Sequence, residues 1–293
     1  MIKKHNALNT TISPAMGLGL LACIFILASV ITSVIVTLLT SRMSNAGAAV
    51  RISIVLQDIL IFILPAVATA VVMTRLPARF LSIDIPPRWR LLLLAVISLF
   101  AAFPLLNCIV AWNEGIHLPA QYADIEASLR ELENSAAGTL DGIMSTTSVP
   151  TLILSILIVG VLAGLSEELF FRGALQKLMT LTRINPHVAI WLTAFIFSAV
   201  HFQFFGFVPR MILGAYFGYL VWWTRCLWIP VIVHALNNST VVVSKWIEAR
   251  SGHDCGIDTI GADLTGSATS AAAVAVSIVL TAYLLYTIKR ESK

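Results

Sequence analysis

The sequence predicts an all-α, polytopic membrane helix bundle of about eight transmembrane helices, and three observations carry that expectation. Of the 293 residues, 58% are hydrophobic and only 12% are charged, against roughly 25% charged in an ordinary soluble domain. The mean hydropathy is +0.89. The apolar residues gather into eight stretches, most of them near the roughly 20 residues that a helix needs to cross the hydrocarbon.

The first stretch, 15–40, follows Lys3 and Lys4 as a secretory signal would, and the AGAA at 46–49 imitates a cleavage site. It is longer than the roughly 7 to 15 apolar residues of a signal, so it is read as a retained helix. The second, 52–74, carries Asp58, an intramembrane acid expected to pair with an arginine or to line a cavity. The third is 91–112.

The longest loop follows, at 113–148, and it is acidic, with Glu114, Asp124, Glu126, Glu131, Glu133 and Asp141. Within it Tyr122, Ile125, Leu129 and Leu132 recur at helical spacing. That pattern predicts an amphipathic helix lying on the membrane or over a cavity. The remaining stretches are 149–178, 188–207, 211–224, 227–245 and 264–288, and the chain 1–293 is read as one membrane-embedded domain with core helices at 150–245.

Eight crossings from a cytoplasmic N-terminus place twelve Lys and Arg on the side of the termini and six on the other, with Arg172 left within the membrane. Because basic residues favour the cytoplasmic side, both termini are expected there, in a multi-pass protein of the cell membrane with loop 113–148 outside. No basic domain stands apart from the apolar segments, so nucleic acid is not an expected partner. The cysteines Cys23, Cys108, Cys226 and Cys255 are scattered without CxxC spacing, and neither a disulfide framework nor a zinc knuckle is expected.

Charged groups inside a membrane segment cost at least about 2.5 to 3.5 kcal/mol each, so they normally find partners in a protein-lined interior. Three constellations qualify. In SEELFFRG, Glu168 and Arg172 are spaced to pair on one helix face, while Glu167 is rotated about 100° away and stays available. Burial disfavours the ionised form of a carboxylate, the condition under which it serves as a general base near neutral pH. In FSAVH, Phe197 and His201 share a face. In HALNN, His234 and Asn238 share a face with Asn237 pointing elsewhere, and imidazole and carboxamide side by side suit a developing oxyanion. Each cluster taken alone also serves merely to hold helices together.

Taken jointly and in this order, EELFFR, FSAVH and HALNN resemble the CPBP family of CAAX proteases and bacteriocin-processing enzymes, also called the Abi family, whose pattern is EExxxR, FxxxH and HxxxN. The resemblance covers about residues 150–245. It implies an intramembrane endopeptidase similar to the type II CAAX prenyl endopeptidases. Glu167, assisted by His201, would activate water, His234 and Asn238 would stabilise the oxyanion, and Glu168, Arg172 and Phe197 would support the site.

A zinc ion on Glu167, His201 and His234 is the competing chemistry, and it is not favoured. HExxH is lacking, and two adjacent glutamates cannot both face one ion from a regular helix. The expected cofactor is therefore none. The expected substrate is a membrane-associated or lipid-anchored peptide or protein. A non-enzymatic membrane immunity or scaffold protein of the same family is the alternative, and a proton-coupled transporter the third reading.

Overall fold

The computed structural model describes residues 10–253, 255–265 and 267–293; Lys3 and Lys4 lie outside the described residues. Nine long helices and no strand form among them: α1 (Pro14–Thr40), α2 (Ala46–Met73), α3 (Trp89–Glu114), α4 (Ala123–Met144), α5 (Val149–Leu181), α6 (Pro186–Ala199), α7 (Phe207–Thr224), α8 (Trp228–Ser251) and α9 (Ala268–Glu291). Each of the eight predicted apolar stretches contains one of these helices, and α4 lies in the acidic loop. The chain is a multi-pass, all-α membrane protein.

Five helices, α1, α2, α3, α5 and α9, are long and apolar enough to cross a membrane. The other three predicted spans fall short of that standard. Helix α6 has 14 residues, whereas α7 carries Arg210 and α8 carries His234, Asn237 and Asn238. The predicted stretch 188–207 breaks after Ala199, where Phe202 takes a left-handed conformation (φ 54°) and the chain turns back into α7. Composition hides this break, since Phe204, Phe205 and Phe207 keep the turn apolar.

Helix ends follow local chemistry. Ser13, Asn45 and Ser267 accept backbone N–H groups at the starts of α1, α2 and α9. Gly252, at φ 70°, closes α8 by donating its N–H to the Glu248 carbonyl. Pro104 interrupts α3, and Ser277 of α9 repairs the ladder beside it: Leu105 N–H donates to Ser277 Oγ at 3.3 Å, and that hydroxyl donates to the Ala101 carbonyl at 2.6 Å. A hydroxyl inserted into the ladder is what allows such a proline within a membrane helix.

Helix α5 is continuous but not regular, with π-helical stretches at Ile156–Leu162 and Leu169–Gln176. It packs on α8 through glycines. A Cβ on Gly164 would stand 2.9 Å from the Ala235 amide nitrogen, and one on Gly160 would strike Ser239 Oγ. Gly160 and Gly164 therefore form a small-residue seam that lets two backbones approach closely. Phe170 and Phe171 bury the other face of α5 against Phe25 of α1 and Phe62 of α2.

Candidate active site

The α5–α8 seam sets the carboxylates of SEELFFRG opposite the imidazole of HALNN. Glu168 and Arg172 pair at 2.6 Å, both side chains fully buried. The same oxygen, Glu168 Oε1, lies 2.9 Å from His234 Nδ1. Because it already accepts from a guanidinium, it accepts from the ring as well, and Nδ1 carries the hydrogen. Arg172 also donates to the Gly214 carbonyl on α7 at 2.8 Å, and its guanidinium lies 4.5 Å from the centre of the Phe197 ring. His234 is stacked on Phe217 at 4.6 Å. Burying one ion pair is costly unless its remaining hydrogen-bonding capacity is used; the Gly214 carbonyl and the His234 ring use part of it, and Glu168 Oε2 and Arg172 Nε are left without a partner among the described residues.

Glu167 differs from its neighbour. Its side chain is 15% exposed, and His234 Nε2 lies 3.7 Å from its Oε2, within ion-pair range but beyond a hydrogen bond. His201 closes the group from the turn after α6, with Nδ1 2.8 Å from the Phe197 carbonyl. A carbonyl oxygen can only accept, so Nδ1 again holds the hydrogen and Nε2 is left as an acceptor. Both rings are thus fixed in one orientation.

Glu167, His201, His234, Asn237 and Asn238 line one cavity of about 290 Å³, walled by Val110, Phe197, Pro209, Leu213 and Phe217. A second cavity of about 270 Å³ shares Val110, Leu213 and Asn237 with it. Asn237, expected to point away, faces the cavity and donates to Asn238 Oδ1 at 3.2 Å. Asn238 donates in turn to the Val159 carbonyl at 3.3 Å. The π-helical stretch makes that acceptor accessible, since the Ala163 amide reaches past Val159 to Ile158.

Among the described residues Asp58 pairs with no arginine, and it does not line this cavity. It is buried on α2 and accepts the Ser166 hydroxyl at 2.8 Å, one residue before Glu167. Arg210, one of the six basic residues expected on the side opposite the termini, lines the cavity from the first turn of α7. Its sequence signal was an arginine four residues into an apolar helix. Helix α4 meets the site at its rim: Glu133 accepts the Phe205 amide at 2.7 Å, and the Arg130 guanidinium lies 3.8 Å over the Phe205 ring.

Among the described residues no group of three His, Cys, Asp or Glu side chains is disposed to hold a metal ion. His234 engages Glu168 through Nδ1, which leaves its Nε2 directed toward Glu167.

Residues 149–240, about a third of the chain, match the model of a protein family described as Type II CAAX prenyl endopeptidase Rce1-like. Comparison with curated proteins and with solved structures gave no match. The matched stretch begins with α5 and contains every residue of the three constellations.

Proposed function

We propose that the chain, which carries an Rce1-like CAAX-protease domain at residues 149–240, is an intramembrane endopeptidase acting on a membrane-associated or lipid-anchored peptide or protein. The observation that carries the reading is one cavity in which a partly exposed carboxylate, Glu167, meets two imidazoles whose Nδ1 atoms are already committed.

Glu167 takes a proton from a water molecule, whose oxygen attacks the carbonyl carbon of the substrate. His201 Nε2 accepts the second hydrogen of that water and holds its lone pair on the carbonyl. The tetrahedral oxygen bears the developing negative charge, and donors placed at such an oxygen are worth about 10²- to 10³-fold in rate. Asn238 keeps one amide hydrogen beyond the one given to Val159. His234 donates from Nε2 only when its ring carries a second proton. Collapse of the intermediate breaks the C–N bond, Glu167 returns its proton to the leaving amine, and the elements of water are divided between the two products. Phe197 and Arg172 hold His201 and Glu168 in place.

The domain lies in a multi-pass membrane protein, so its substrate reaches the cavity from the bilayer or its surface. The proposed setting is the cell membrane, with both termini cytoplasmic. Membranes carrying the chain, incubated in ¹⁸O-water, test the reaction: new peptide C-termini should gain one ¹⁸O with the wild type and none with Glu167→Gln. Equal labelling in the two would remove the glutamate-base reading.

A further inference from the structure

We propose that Arg210 binds a carboxylate of the substrate inside the cavity that holds Glu167, so that the site selects peptides bearing a negative charge close to the bond cut. The inference rests on the endopeptidase reading for the word substrate, but not for the binding site itself.

Two arginines stand near the catalytic groups, and their donors are spent differently. Arg172 gives Nη1 to Glu168 and Nη2 to the Gly214 carbonyl, its Nε is buried without an acceptor among the described residues, and it does not line the cavity. Arg210 donates through Nη2 to Gln203 Oε1, while its Nη1 is buried without an acceptor among the described residues. No carboxylate lies within ion-pair distance of Arg210 among those residues, and Glu167 makes its own 3.7 Å approach to His234 instead. Arg210 is thus a permanent charge, near the carboxylates of Glu167 and Glu133 without an ion pair to either, whose Nη1 lacks an acceptor at the wall of a cavity lined by Val110, Leu213 and Phe217.

A buried donor without a partner is costly, and a guanidinium edge fits the two oxygens of a carboxylate. Glu167 on the same cavity disfavours a ligand of higher charge, such as a phosphate. The loop leaves room for the guanidinium at Gly206, where a Cβ would stand 3.2 Å from Nη2.

The test measures binding to the full chain carrying Glu167→Gln in nanodiscs, so that turnover is not required. Three probes are titrated: acetyl-Leu-Leu-Leu as free acid, the same peptide as amide, and acetyl-Leu-Glu-Leu amide. A charge-assisted contact predicts at least one acidic probe binding about 10- to 100-fold tighter than the uncharged amide. Whichever acidic probe gains names the source, a chain terminus or an acidic side chain. Adding Arg210→Gln should abolish the preference, and Arg210→Lys should keep part of it. Equal binding of acid and amide, a preference that survives Arg210→Gln, or no binding of any probe would overturn the proposal. A charge preference in a chain that never cleaves leaves the carboxylate site standing and removes the peptidase reading; cleavage without a charge preference does the reverse.

Discussion

Glu168 never faces the cavity, yet it fixes the electrostatics of the residues that do. One of its oxygens serves both Arg172 and His234, so the ring next to Glu167 is oriented from behind. Removing the cation while leaving the carboxylate should be severe, because an unpaired buried charge costs about 3 to 5 kcal/mol. Arg172→Met is therefore expected to lower the thermal unfolding midpoint in detergent sharply, whereas Lys245→Met, at a half-exposed ion pair 3.8 Å long, should leave it nearly unchanged. Equal, small shifts in both would contradict the arrangement. The Glu168–Arg172 pair was legible because four-residue spacing states which groups share one helix face. Arg210 and Asn237 were not, since spacing along one helix says nothing about which neighbouring turn closes over it.

The α5–α8 seam is the element on which the site depends. Gly164→Ala places a methyl group 2.9 Å from a backbone nitrogen, so α8 has to move and carry His234 away from Glu167. Overpacking of this kind costs about 1 to 3 kcal/mol. The expected result is reduced activity together with lower thermal stability, while Gly138→Ala on α4, where nothing lies within 4 Å, leaves activity unchanged and does not lower stability. The GxxxG spacing of Gly160 and Gly164 was present in the sequence as the sign of this close approach, and it was passed over. The π-helical stretches had no such sign.

Helix α4 has its own device. Glu126 accepts the Leu118 amide at 2.7 Å, His117 Nδ1 and Arg130 Nε at 2.9 Å each, and these bonds, the Leu118 amide foremost, lower its carboxyl from the usual 4.5 to about 2. A lowered folded-state value means that the stabilisation is fully present above about 4.5 and is lost as pH falls from there toward about 2. Hydrogen exchange at residues 114–126 should therefore accelerate across that window in the wild type. In Glu126→Gln it should already be fast at neutral pH.

At the scale of the whole molecule the class of fold and its eight apolar helices were legible from hydropathy alone. Eight apolar stretches were read as eight spans, but only five helices reach the length and hydropathy of one, because the site residues make α7 and α8 more polar and the turn at Phe202 shortens α6. The two counts differ in an observable way. Eight crossings return residue 293 to the side on which residue 10 begins; five leave them on opposite faces. Charge distribution favours the former, so reporters fused at each end should both read cytoplasmic, and opposite readings would mean that the helices of the site do not all cross.

The central claim is that Glu167 performs peptide hydrolysis, and it is tested most directly by comparing the N- and C-terminal peptides of membrane proteins, by mass spectrometry, in cells carrying the wild-type chain or Glu167→Gln at matched abundance. The account predicts a set of new termini in the wild type that is missing with Glu167→Gln. Identical termini in the two, under conditions where the wild-type gene has a phenotype, would contradict it and favour a non-enzymatic immunity or scaffold role.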